Sequence, residues 1–104
     1  MKRILFTVTA LTAAVAMATA QAQTKPVKIG VLSDMTGTLA DAYGPGSAYA
    51  AELAIEDARK DMPGFDITLV TGNHQNKVDV ASTIARQWYD VEKVDAIFDL
   101  VNTA

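Results

Sequence analysis

The stretch VKIGVL, residues 27–32, decides the fold of this chain. It is a short, mostly apolar run with β-branched residues, which is typical of a strand buried on both faces of a parallel sheet. The segment from Ser33 to Gly44 is rich in turn residues. Pro45 then suits the first turn of a helix, because its missing N–H would be unpaired there anyway. Strand, turn and helix in this order indicate an α/β fold.

Helices and strands continue to alternate along the chain. Helix formers with an alanine-rich apolar face fill residues 47–60, and Pro63-Gly64 ends this helix. The runs FDITLVT, residues 65–71, and VDAIFDLV, residues 94–101, predict the second and third strands. The order β-α-β-α-β calls for a parallel, Rossmann-like sheet with right-handed crossovers.

The second helix is predicted between these two strands. Four apolar residues recur there at helical spacing: Val80, Ile84, Trp88 and Val91. Asn76 is a candidate N-cap, since Asp79 lies three residues further on, close to a capping box. We interpret Trp88 as a core residue rather than a stacking platform.

The first 22 residues have the layout of a secretory signal peptide. Lys2 and Arg3 precede an uncharged apolar stretch over residues 4–20, and a small-x-small pattern ends at Ala22. The rival interpretation is a membrane anchor. A span needs about 20 strongly apolar residues, whereas this stretch is shorter and diluted by threonines. We therefore predict a cleaved signal peptide over residues 1–22, export to the periplasm and no stable membrane insertion.

Charge and composition exclude several classes of function. The formal net charge is −3, and residues 1–22 hold two of the nine Lys and Arg and none of the twelve Asp and Glu, so the remainder carries −5. An acidic chain without a basic cluster argues against a nucleic acid partner. The absence of Cys excludes a disulfide scaffold, a thiolate zinc site and a Cys nucleophile. The single His cannot form a multi-His metal site. We expect no metal and no cofactor.

Three loops follow the predicted strands, at residues 33–44, 72–76 and 102–104. Ligands of parallel α/β sheets bind outside the carboxyl ends of the strands, and N–H groups at helix N-termini could hold a carboxylate there. The plainer interpretation is that the polar residues of these loops serve only turns and caps. The loop sequences leave both interpretations open.

Individual polar residues point away from catalysis. We expect His74 to be an exposed or pocket-rim side chain, with a hydrogen bond to a ligand as the alternative. Asp95 and Asp99 could in principle do acid–base work, but a structural role is favoured. A hydrolase is disfavoured, because there is no Gly-x-Ser-x-Gly and the only His lies before the third strand.

Taken in order, these segments resemble the periplasmic solute-binding proteins of branched-chain amino acid type, which feed ABC importers. The resemblance lies in these runs: VKIGVL with MTG at 35–37, AYG at 42–44, AELAIED at 51–57, NHQNK at 73–77, IARQWY at 84–89 and VDAI at 94–97. The later runs are similar to a branch that includes receptors for aromatic acids and related carboxylates.

The resemblance implies a type I receptor of two lobes that closes like a hinge, with residues 23–104 as an incomplete N-terminal lobe. The ligand-binding residues it implies are Tyr43, Asn102, Thr103, His74, Gln75 and Met35. Tyr43 would pack on the apolar part of the ligand, and Asn102 and Thr103 would hold its carboxylate. Asn102 replaces the Ser of the amino-acid receptors, which weakens the case for an amino-acid ligand.

The resemblance also implies what the whole receptor does. It would bind a small carboxylate-bearing solute, such as a branched-chain amino acid or an aromatic or other organic acid, and deliver it to ABC transporter permease subunits. It would not be an enzyme. Two alternatives stay open at this stage: a ligand-sensing regulatory module of the same fold, and a nonfunctional truncated fragment.

Overall fold

The computed structural model describes residues 22–102, in which strands and helices alternate as the sequence predicts. The elements are β1 (Lys25–Ser33), α1 (Gly44–Asp61), β2 (Phe65–Asn73), α2 (Val78–Asp90) and β3 (Ala96–Phe98). The predicted α/β fold is confirmed. Apart from Ala22, the predicted signal peptide lies outside the described residues, and so does Thr103.

The three strands form one parallel sheet in the order β2-β1-β3. β1 and β2 pair along their full length, from Lys25 opposite Phe65 to Ser33 opposite Asn73. β3 pairs with β1 over three residues, and its last residue Phe98 lies opposite Val31. Because all strands run the same way, the loops that follow them meet at one edge of the sheet.

The core on one face of the sheet is built around Trp88 of α2. Trp88 is 6% exposed and clusters with Leu32 and Val94, which confirms the prediction that it is a core residue. Two strand glycines make room for the indole. A Cβ would lie 2.5 Å from a Trp88 ring atom at Gly30 and 2.9 Å at Gly72.

Helix α1 covers β2 and β1 on the other face. Side chains alternate along a strand, so Val31 and Ile67 point away from the Trp88 side; both are buried, as is Ile55 of α1. The guanidinium of Arg59 donates a hydrogen bond of 2.6 Å to the carbonyl of Ile67. This bond ties the last turns of α1 to the outer strand.

Two details of the prediction are wrong. β3 is much shorter than the predicted 94–101, because the N–H of Val94 donates to the Trp88 carbonyl and Asp99 adopts a φ of 63°. Asn76 does not cap α2. Its φ of 55° is left-handed, whereas a capping residue is extended; the residue at that position is Lys77, whose side chain makes no capping bond.

Within residues 22–102, neither helix combines the length and the apolar character needed to cross a bilayer.

Candidate functional site

The carboxyl ends of β1 and β2 carry two polar loops side by side. We call residues 33–43 and 73–77 the polar edge. The backbone N–H of His74 donates to the carbonyl of Ser33 at 2.9 Å, so the pairing of the strands extends into the start of the second loop. The side chains of this edge determine what it could bind.

Asp34 organises the first loop from inside. Its carboxylate accepts hydrogen bonds from the N–H groups of Gly37 at 2.7 Å, Leu39 at 3.1 Å and Thr36 at 3.4 Å. Gly37 packs so closely that a Cβ there would lie 2.4 Å from a carboxylate oxygen. Burial disfavours the charged form of Asp34, but these three N–H donors outweigh it and lower the pKa of the carboxyl below its ordinary value.

Asn73 joins the second loop to the first. Its Oδ1 accepts hydrogen bonds from the N–H of Met35 at 3.0 Å and the N–H of Gln75 at 2.9 Å. Its Nδ2 donates to the hydroxyl oxygen of Thr36 at 2.9 Å. One amide side chain thereby uses both its acceptor and its donor to hold two loops together.

His74 is buried, whereas we expected an exposed or pocket-rim side chain. Its exposure is 1%, because pairing between the strands continues past Asn73 and draws the residue into the sheet. Nδ1 accepts a hydrogen bond of 3.0 Å from the N–H of Asn76. The neutral ring therefore carries its proton on Nε2, and Nε2 has no hydrogen-bond partner within residues 22–102.

The polar edge brings together several of the other predicted ligand-binding residues. Met35 is half-buried and Gln75 is exposed, and Asn73 binds the backbone of both. Tyr43 is 40% exposed at the start of α1. The next residue, Gly44, lies against the Asp34 backbone, where a Cβ would be 2.6 Å from the carbonyl oxygen.

Asn102 is half-buried and lies beyond the carboxyl end of β3. Because β3 is parallel to β1 and β2, Asn102 lies at the same end of the sheet as the polar edge. The other predicted carboxylate-binding residue, Thr103, lies outside the described residues.

Sequence reasoning missed the two side chains that organise the polar edge. Asp34 had a usable signal, since an Asp followed closely by Thr and Gly is typical of a turn closed by its own carboxylate. Asn73 had no such sequence signal, because nothing in the sequence links it to Met35, 38 residues earlier.

The opposite end of the sheet holds a cavity of about 330 Å³. It is lined at the amino ends of the strands by Lys28, Asp66, Thr68 and Asp95, among others. Asp95 accepts a hydrogen bond of 2.8 Å from the N–H of Lys28, which confirms its predicted structural role. In the described part of the chain, no three His, Asp or Glu side chains are grouped closely enough to hold a metal ion.

Comparison with known proteins identifies the family. The family profile described as "Periplasmic binding protein" matches residues 26–104. A solved periplasmic ligand-binding protein of a branched-chain amino acid ABC transporter from Burkholderia xenovorans LB400 is 49% identical over 72% of this chain, with a TM-score of 0.67. A solved periplasmic binding protein from Burkholderia mallei is 38% identical over 70% of the chain, with a TM-score of 0.65. No curated protein matches.

The chain spans about 20% of the length of each of these two structures. Its three parallel strands with alternating helices match the lobe of a type I periplasmic binding protein. Proteins of this family are substrate-binding receptors and not enzymes. Because the profile match extends over most of the sequence, the chain belongs to the periplasmic binding protein family.

Proposed function

We propose that residues 23–104 form part of the N-terminal lobe of a periplasmic receptor that binds a small carboxylate-bearing solute for import by an ABC transporter. The observation that carries the proposal is the polar edge. Two loops at the carboxyl ends of adjacent parallel strands are held as one surface by buried or half-buried side chains. In open α/β sheets, ligands bind outside the carboxyl ends of the strands.

The hydrogen bonds within the polar edge suggest how the solute is oriented. The N–H groups of Met35 and Gln75 already bind Asn73, and those of Gly37 and Leu39 already bind Asp34. These loops therefore have few backbone donors left for a carboxylate. A carboxylate would also meet the ionised carboxyl of Asp34 close by.

The carboxylate is accordingly assigned to the segment after β3, where Asn102 and Thr103 are the proposed partners. Tyr43 and Met35 would contact the apolar part of the solute, and the Gln75 amide would lie at the rim. The buried His74 would donate a hydrogen bond to the solute through its Nε2–H. This combination of an apolar wall and a few fixed polar groups is usual for small-molecule sites.

Affinity in this arrangement depends on a second wall. The described residues offer one open surface, so we expect the 104-residue chain alone to bind weakly, with tight binding arising when a second lobe closes over the solute. Closure would also present the receptor to the transporter permease subunits.

A chimera tests the binding proposal. Residues 26–104, which the family profile matches, would replace the corresponding segment of the Burkholderia xenovorans receptor, which is 49% identical. Titration calorimetry with leucine, isoleucine, valine, benzoate and phenylacetate should find at least one solute that binds much more tightly than to the 104-residue chain. A folded chimera that binds none of them, or equal micromolar binding by the short chain, would contradict the proposal.

Two variants locate the site within the chimera. Tyr43→Ala should raise Kd about fivefold, since an aromatic contact contributes on the order of 1 kcal/mol. Thr68→Val, in the cavity at the opposite end of the sheet, is the matched control and should leave Kd unchanged. An equal rise in Kd in both variants would mean that the solute does not bind at the polar edge.

Export is part of the same proposal. Removal of residues 1–22 should give a periplasmic protein that begins at Gln23, which mass spectrometry of a periplasmic extract would detect. A chain that keeps Met1 and stays with the membrane fraction would refute a cleaved signal peptide.

A further inference from the structure

The loops of the polar edge have different supports. The loop after β1 is held internally by Asp34, whose carboxylate binds the N–H groups of Gly37 and Leu39. Its attachment to the neighbouring loop involves the side chain of Asn73, which binds the N–H of Met35 and the hydroxyl of Thr36. Asp34 thus determines the internal shape of the loop after β1, whereas Asn73 determines the position of that loop relative to the loop after β2.

We propose that Asn73 is a positioning residue that clasps the two loops of the polar edge, so that Met35 and Gln75 keep a fixed separation. Its importance for binding rests on the function proposed above, because these two residues would face the solute. The clasp itself is a property of the unliganded chain.

The chemistry of an amide side chain suits this role. Oδ1 accepts from two backbone N–H groups that belong to different loops, those of Met35 and Gln75. Nδ2 donates to Thr36, so the amide cannot rotate without breaking a bond at its other end. An apolar side chain of similar size would leave both N–H groups without this acceptor, which is costly for the N–H of Met35, because that group is partly buried.

Because Asp34 and Asn73 hold different backbone N–H groups, loss of the Asn73 side chain should affect some amides and not others. If the clasp is removed, the loop after β1 should keep its internal shape, because Asp34 is unaffected. It should move as a unit relative to the loop after β2. The amides of Met35 and Gln75 then become more exposed to exchange, whereas the amides of Gly37 and Leu39 do not.

Amide hydrogen exchange measured by NMR on the 104-residue chain tests this directly. In Asn73→Leu, exchange of the Met35 and Gln75 amides should rise on the order of tenfold, as expected for loss of one hydrogen bond each. The Leu39 amide and the amides of the β1–β2 ladder should be unchanged. Asn73→Asp should restore protection, since a carboxylate can accept from both N–H groups and from the Thr36 hydroxyl.

Thr36→Val supplies a second, milder variant. It removes the bond at Nδ2 while both bonds at Oδ1 can remain, so exchange at Met35 should rise less than in Asn73→Leu, and exchange at Leu39 should not rise. Unchanged exchange at Met35 in Asn73→Leu would overturn the proposal. An equal rise at every amide, including those of the ladder, would also overturn it, because that result indicates a general loss of stability.

Binding by the chimera separates the clasp from the proposed function. Asn73→Leu should weaken solute binding and Asn73→Asp should preserve it, although neither substitution removes a group assigned to contact the solute. If the exchange results hold but the unmodified chimera binds no carboxylate, the proposed function fails while the clasp stands. If binding is tight and insensitive to Asn73→Leu, the positioning role fails while the function stands.

Discussion

At the scale of single residues, Asp34 is the clearest case of a charge kept inside the fold. It is completely buried, and an ionised carboxylate without partners would be very unfavourable there. Three backbone N–H donors supply those partners, and their combined effect lowers the pKa of the carboxyl. The charge of Asp34 therefore stabilises the loop after β1.

The lowered pKa of Asp34 predicts a specific acid sensitivity. A carboxyl whose pKa is lower in the folded state than its ordinary value of 3.8 stabilises the fold above that value. This stabilisation is lost as the pH falls through the lowered pKa, because the folded chain must then take up the proton. Asp34→Asn should lower the free energy of unfolding at neutral pH. The substitution replaces one carboxylate oxygen with Nδ2, which cannot accept a hydrogen bond from a backbone N–H group.

Urea denaturation of both proteins across the acid range would measure this effect. The difference in unfolding free energy between the wild type and Asp34→Asn should be constant near neutral pH and should shrink below about pH 4. A difference that stays the same down to about pH 2 would show that the charge of Asp34 does not stabilise the fold.

The same residues show where sequence reasoning about the site stops. Strand direction predicted which loops would meet, because the carboxyl ends of parallel strands share an edge. It could not predict that Asn73 binds Met35, since that contact depends on the exact register of β1 and β2. It also misjudged His74, because the exposure of a residue at a strand end depends on how far the pairing continues.

At the scale of elements, the fit of α2 on the sheet depends on residues that have no side chain. Gly30 on β1 and Gly72 on β2 leave a hollow into which Trp88 fits. This explains why both strands, otherwise rich in apolar and β-branched residues, contain a glycine. A large residue on the helix is matched by the smallest residues on the sheet.

Gly30→Ala tests this fit. The new methyl group would lie 2.5 Å from a ring atom of Trp88, so Trp88 or the backbone must shift. We expect the free energy of unfolding to fall by about 1–3 kcal/mol, as is usual for an overpacked core. Urea denaturation followed by circular dichroism would measure the change.

The double variant Gly30→Ala/Trp88→Leu is the control for the mechanism. Trp88→Leu alone should destabilise the fold through the cavity it leaves, but the added methyl should then cost little, so the two changes should not be additive. Strict additivity would show that Gly30 is needed for a reason other than the indole.

Element type was predictable from this sequence, and element length only partly. β1, α1, β2 and α2 follow apolar patterns long enough to reveal their period, and each begins within a few residues of its predicted start. β3 was predicted too long, because the apolar residues 100 and 101 suit a strand by composition. The left-handed φ of Asp99 ends the strand before them, and no local apolar pattern could reveal that.

At the scale of the whole molecule, the sheet of residues 22–102 has two outer strands with different environments. β2 packs against α1, and Arg59 binds the carbonyl of Ile67. β3 pairs on one side with β1. Phe98 lies opposite Val31 in register, so its side chain is on the face of the sheet where α1 packs against β2 and β1. It remains 56% exposed.

An exposed apolar side chain on an outer strand favours pairing with a second copy of the chain. We therefore expect the 104-residue chain to associate with itself as its concentration rises, and Phe98→Thr to reduce that association. Threonine suits a strand, and the side chain it replaces is more than half exposed, so the free energy of unfolding should change by less than about 1 kcal/mol.

Sedimentation velocity over a range of concentrations would measure this association. Val91→Thr is the matched control: Val91 is even more exposed, at 71%, but it follows the end of α2 and does not lie on an outer strand. Equal effects of the two substitutions would mean that general surface hydrophobicity causes association. A selective effect of Phe98→Thr would mean that the outer strand β3 is the contact, because Phe98 combines an exposed apolar side chain with the unpaired backbone groups of an outer strand and Val91 does not.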